Sequence, residues 1–152
     1  MRNILLTIII GLSLVACDNQ LIFSEFRSFG NSGWHMDSIA EYTLPIHDSL
    51  ATYEVQIIVR HTTQYPYQNL WLFTEEWYGN VLLHRDTIEC FMADEYGRWN
   101  GRGIQQYTLP LLYDNAHAFP KTGDYTITIQ QGMRLEQLRG ITDIGVKILK
   151  NH

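Results

Sequence analysis

Tyr53, Val55, Ile57 and Val59 occupy every second position of the run Thr52 to His61, with Glu54, Gln56 and Arg60 on the alternate positions. Successive side chains of a strand point to opposite faces, so this run presents one apolar face and one polar face. The same period of two returns in Tyr42-Leu44-Ile46, in Tyr125-Ile127-Ile129 and in Ile144-Val146-Ile148. No long amphipathic helix interrupts them. Short alternating strands with no helices between them argue for an antiparallel sandwich or barrel, and two sheets that bury their inner faces against each other are favoured. The expected fold is all-β, a jelly-roll-like antiparallel β-sandwich of about eight or nine strands whose order the sequence does not reveal.

The rest of the chain fills in the count. Phe23 to Phe29 reads as a strand, and Gly30-Asn31-Ser32-Gly33 as a turn before Trp34. Pro45 lacks an N–H for a ladder, so its strand should be an edge or carry a bulge. Tyr65-Pro66-Tyr67-Gln68 and Gly79-Asn80 are turns. Asn69 to Trp77 is apolar at nearly every early position, which predicts a strand buried on both faces. Val81 to Phe91 continues as strand with an interruption near Asp86, and Gln106 to Tyr113 is broken at Pro110. Met133 to Leu138 suits a short helical turn, and Ile141 to Leu149 closes the chain as a strand.

The N-terminus carries a different signal. Arg2 precedes an apolar segment from Ile4 to about Val15, which ends in Leu14-Val15-Ala16-Cys17. A basic start, an apolar middle and small residues at the cut form a secretory leader, and a cysteine after the cut reads as a bacterial lipobox. The apolar run falls short of the roughly 20 residues a spanning helix needs. The expected organisation is a leader over 1–16, a lipidated Cys17 and tether over 17–24, and one domain over 25–152. Several acyl chains on one cysteine give an anchor that a single chain does not. The expected partner on this side is therefore a membrane, held through lipid on Cys17. Without the leader, 136 residues remain with a net charge of −6, since the leader holds Arg2 and no acid. An acidic domain with no basic stripe argues against a nucleic acid partner.

Chemistry-bearing patterns are sparse. Cys90, left without an internal partner once Cys17 is acylated, lies in a strand-like run with no activating neighbour and reads as a buried structural thiol. The six histidines lack metal-ligand spacing. His35 with Asp37 and His47 with Asp48 sit beside an acid, and a turn pair after Trp34 is the expected role of the first. No Gly-x-Ser-x-Gly, phosphate loop or dinucleotide fingerprint occurs. Glu75, Glu76, Glu89, Asp94 and Glu95 offer carboxylates whose separation in space sequence does not give. The chain is expected to be non-enzymatic, with no catalytic residue, metal or cofactor.

Two aromatic segments are candidates for binding a partner. Gly97-Arg98-Trp99-Asn100-Gly101-Arg102-Gly103 places Arg98, Trp99 and Arg102 on a glycine-rich loop, and Trp and Arg are enriched where interfaces draw their energy. Alternatively Trp99 caps one end of the sandwich and the glycines make its turns. Tyr65, Tyr67 and Trp71 form a stacking platform if exposed and belong to the core if buried.

In their order along nearly the whole chain, these features resemble the GldH family, the gliding-motility lipoproteins of the Bacteroidota. The resemblance rests on Cys17, Trp34 with Asp37, the strand Tyr53 to Arg60, Tyr65-Pro66-Tyr67-Gln68-Asn69-Leu70-Trp71-Leu72-Phe73, Asp86-Thr87, the loop Gly97 to Gly103, Gly123-Asp124-Tyr125 and Gly140-Ile141-Thr142-Asp143-Ile144-Gly145. It implies a cell-envelope lipoprotein that works with the gliding and associated secretion machinery, with envelope proteins as partners and no known catalytic residues. Asp18-Asn19-Gln20 lacks the acidic run that resembles a surface-export signal in this phylum. The expected site is therefore the outer membrane, facing the periplasm. A glycan-binding module, with or without weak hydrolase activity, is the alternative, suggested by the aromatic content and the sandwich class.

Overall fold

The structure is a computed structural model that describes residues 20–151. The leader and Cys17 lie outside the described residues. Among the described residues eight long strands carry the fold: β1 (Gln20–Ser28), β3 (Ala40–Ile46), β4 (Thr52–Thr62), β5 (Asn69–Tyr78), β6 (Val81–Phe91), β8 (Gln106–Ala118), β9 (Gly123–Gln131) and β11 (Ile141–Lys150). Three two-residue strands accompany them: β2 (Trp34–His35), β7 (Arg102–Gly103) and β10 (Gln137–Leu138).

Two sheets face each other, ordered β1-β11-β4-β8-β7 and β3-β9-β5-β6, with β10 and β2 as a small ribbon. All strand pairs are antiparallel. Among the long strands, the first sheet takes the first, eighth, third and sixth in sequence, and the second takes the second, seventh, fourth and fifth. That is the order of a jelly roll, in which two Greek keys fold over each other. The alternating residues supply the interior: Tyr53, Val55, Ile57 and Val59 from β4 meet Tyr42, Leu44 and Ile46 from β3 and Tyr125, Ile127 and Ile129 from β9, all buried. Each such side chain contributes about 2 kcal/mol when taken out of water. Tyr42 spans the two layers, and its hydroxyl donates to the Ile144 carbonyl at 2.7 Å. Pro45 sits on β3, an edge strand of its sheet, as a residue without an N–H requires.

Several local expectations are corrected. Strand β5 is not buried on both faces: Leu70, Leu72, Thr74 and Glu76 point inward, while Trp71 and Phe73 are 37% and 46% exposed. Nothing in the described residues covers the outer face of this sheet, so apolar residues on that side stay at the surface. Strand β6 is continuous through Asp86, which pairs with Thr74; the irregularity falls instead opposite Glu76 and Trp77. Strand β8 runs unbroken through Pro110, because β7 reaches only Thr108 and Tyr107 and leaves that stretch of its edge unpaired. Residues 133–138 form no helical turn; they lead into β10, which pairs with β2. Strand β1 already begins at Gln20, so it covers residues 20–24 that the sequence assigned to the tether.

The registers divide the connections between the two ends of the sandwich. Gln20 lies beside Lys150, Lys150 beside Tyr53, and Tyr53 beside His117. In the other sheet Ile46 lies beside Gly123, and Tyr78 beside Tyr125 and Val81. Connections 47–51, 79–80 and 119–122 therefore close the end where Gln20 enters, here called the near end. Connections 29–39, 63–68, 92–105 and 132–140 crowd the far end.

Candidate functional site

The far end is built on a buried histidine. His61, at the end of β4, is fully buried, with Tyr107 stacked on it at 5.4 Å and the Trp99 ring at 4.8 Å. Nδ1 lies 3.2 Å from the Thr62 carbonyl and Nε2 has no partner. Burial therefore holds the ring's pKa below its ordinary value and keeps it neutral. Trp99 rests on this histidine and bridges to Ala93, half-buried against the core. It is the cap that the alternative reading of the loop described, with part of the ring still open to solvent.

The loop around Trp99 is stiffened from within. Asp94 Oδ1 accepts from the backbone N–H of Tyr96 and of Arg98, both at 2.9 Å, and Oδ2 accepts from Arg98 Nε at 2.7 Å. The backbone bond from Arg98, with its guanidinium and the Tyr96 N–H, holds the Asp94 carboxyl below the usual range. Arg98 is thus committed to its own loop, while Arg102 is exposed on β7. Two glycines let the loop lie on β8. At Gly101, with φ of 92°, a Cβ would stand 2.6 Å from the Thr108 carbonyl oxygen, and at Gly103 it would collide with the Gln106 carbonyl.

The aromatic trio separates. Tyr65 is only 1% exposed and donates its hydroxyl to the Asn69 carbonyl at 2.7 Å. It is a core residue, and an edge-on contact of 5.7 Å between ring centroids supports Tyr67 above it. Tyr67 and Trp71 are open to solvent and line a groove of about 530 Å³ together with Phe73, Met133, Arg134 and Leu135. Its floor is tight: the Gly132 N–H donates to the Trp71 carbonyl at 2.7 Å, and a side chain at Gly132 would press on Phe73. Asn69 Nδ2 donates to Glu89 at 2.7 Å beside it. The volume is that of ordinary small-ligand sites. Phe73, Met133 and Leu135 were not singled out from sequence. Phe73 lies in the apolar stretch 69–77, whose pattern suits burial on both faces, and Met133 and Leu135 lie in a segment whose pattern suits a helical turn, so neither pattern marks a groove.

A second cluster was missed altogether. His117 on β8 lies with Nε2 2.9 Å from Glu76 Oε2 on β5, though off the N–H direction, and with Nδ1 3.1 Å from Asp114 Oδ2. Burial opposes charging this ring, but the two carboxylates outweigh it and raise its pKa above the ordinary imidazole value. The result is an ion cluster tying one sheet to the other at the near end. Two other acids have separate structural partners: Glu75 holds Arg85 at 2.6 Å on the outer face, and Asp48 holds Lys150 at 2.7 Å and not His47. His35 and Asp37 form the exposed turn pair expected of them, with the Asp37 N–H donating to His35 Nδ1 at 3.1 Å. Cys90 is fully buried, and burial beside Glu89 pushes its thiol up to about 12. Among the described residues no three His, Cys, Asp or Glu side chains stand as a metal-binding group.

The sequence model of the GldH lipoprotein family matches residues 21–148, from β1 into β11. The chain belongs to the GldH lipoprotein family. It is 33% identical over 144 residues to a gliding motility lipoprotein GldH homolog of Christiangramia forsetii, covering 90% of this chain and 88% of that one. It is 31% identical over 154 residues to the gliding motility lipoprotein GldH of Flavobacterium johnsoniae, covering 97% and 96%. The GldH match takes in all eight long strands. Of the segments that carry the resemblance, 34–37, 65–73, 97–103 and 140–145 lie in the far-end connections or in the strand ends beside them.

Proposed function

We propose that this chain is a non-enzymatic accessory or scaffold subunit of the gliding and secretion machinery, held by lipid on Cys17 at the outer membrane with its domain in the periplasm. The observation that carries the reading is that segment 65–71 and loop 97–103, with Tyr67, Trp71 and Arg102 exposed, lie at the end of the sandwich opposite the one where β1 enters. A far end held away from the bilayer is free to meet envelope proteins. Arg102, Tyr67 and Trp71 are the side chains offered for that contact, with the open part of Trp99, while Arg98 shapes the loop through Asp94. Recovery of the tagged protein from crosslinked native envelopes tests this. Stable envelope partners are expected for the parent and reduced recovery for the double variant R102A/Y67A with unchanged melting; a parent that captures none overturns it. The anchor has its own check, since Cys17→Ser is expected to leave the envelope fraction, and a variant retained there as the parent is would refute the lipid attachment.

The groove beside Trp71 favours one other reading, a glycan-binding module. Exposed aromatic rings over a concave surface stack on sugar faces, and Arg134, Asn69 and Glu89 supply polar edges. Binding to no glycan on an array would remove this reading and leave the first intact.

A further inference from the structure

The near end carries apolar side chains that the fold does not bury. Leu50, at the tip of connection 47–51, is 96% exposed, and Val81 and Leu83, just past the Gly79-Asn80 turn, are 60% and 42% exposed. Leu21, next to the chain's entry point, is exposed as well. No element of the described residues covers them. They share this end with the start of β1 at Gln20. Cys17 precedes Gln20 by three residues, which span about 10 Å when fully extended.

We propose that the near end is a membrane-docking surface, with Leu50 and Val81 seated in the headgroup layer of the bilayer that holds Cys17. This rests on the lipid-anchor reading above. The geometry decides which end is the membrane's. The interfacial layer outside the hydrocarbon is roughly 5–7 Å deep on each side, so a 10 Å leash leaves the near end in it or against it. The far end also has exposed apolar side chains, Tyr96 and Ile104. They stand beyond the eleven residues of β4, roughly 35 Å away at strand rise, and the leash does not bring them to the same surface in an upright molecule. Docking at a second set of points besides the acyl chains limits rotation about the tether and holds the far-end loops at a set height in the periplasm.

The test uses the lipidated full-length protein in phosphatidylethanolamine–phosphatidylglycerol vesicles. Single cysteines placed by Leu50→Cys, Leu112→Cys and Tyr96→Cys carry an environment-sensitive fluorophore. Cys90 is buried and Cys17 is acylated, so the introduced thiol alone reacts. Leu112 is exposed on the outer face of β8 and reports a molecule lying on its flank. Co-flotation with vesicles reports the anchor, and quenching by nitroxide lipids reports the docked surface. The expected result is co-flotation of all three, with loss and blue shift of emission at position 50 only. Co-flotation with no quenching at position 50, or with quenching at 112 or 96 instead, overturns the proposal and leaves the anchor standing. Failure to float overturns the anchor and the docking surface together.

Discussion

Trp99 shows how one side chain can be divided between stability and recognition. Its ring covers the buried His61 and touches the core, yet part of it stays open on a loop that bends back over β8. Fully buried aromatics cost 3–5 kcal/mol when cut to alanine, so Trp99→Ala is expected to cost about 2 kcal/mol. The urea midpoint should fall accordingly, while Arg102→Ala, which removes an exposed side chain, should leave it nearly unchanged. An unchanged midpoint for Trp99→Ala would make the residue a recognition group with no capping role. The sequence leaves both roles open, because a tryptophan between glycines carries the same pattern in either. The presence of His61 and Tyr107 beneath it, 38 residues before and 8 after, is what separates them. Tyr65 and Tyr67 make the same point: two positions apart, one fills the core and one lines the groove, and the turn that parts them has no period to read.

At the level of elements, two histidines at opposite ends set the response to pH. His117 ties β8 to Glu76 on β5 and has a raised pKa, so the stability it adds is complete below the unfolded value of about 6.5 and is lost as pH rises through the folded value. His61, between β4 and the loop before β7, has a lowered pKa, so stability falls as pH drops from about 6.5 towards its folded value. The two act in adjoining windows, and the urea midpoint is expected to peak near pH 6.5. His117→Gln should flatten the alkaline side of that profile and His61→Phe the acid side. A profile that His117→Gln leaves unchanged above pH 6.5 would show that the cluster is not ionised as the distances indicate. Strand identities came largely from alternation, and β4, β9 and β11 fall where that pattern placed them. Strand β5 departs from its expected double burial because a run of apolar residues does not show whether a second layer covers its outer face.

For the whole molecule, the strand order makes the last segment central. β11 lies between β1 and β4 and buries Ile141, Ile144, Val146 and Ile148. Those four side chains represent roughly 6–12 kcal/mol of burial, which rivals the entire stability of a typical domain. Deleting residues 141–152 is therefore expected to abolish the fold, seen as loss of the strand signal in circular dichroism and of any cooperative urea transition. A truncated chain that still unfolds cooperatively would contradict this topology. Sequence alone determined the all-β class, the inward-facing residues of most strands, the burial of Cys90 and the family pattern. Each of these is a local matter, set by neighbours two residues apart or by short motifs. Tertiary structure alone decided the jelly-roll order, the outward turn of Trp71 and Phe73, the meeting of Glu76 with His117 and the sorting of loops between two ends. Those depend on pairings such as Gln20 with Lys150, and no periodicity within a strand encodes which distant strand will lie beside it.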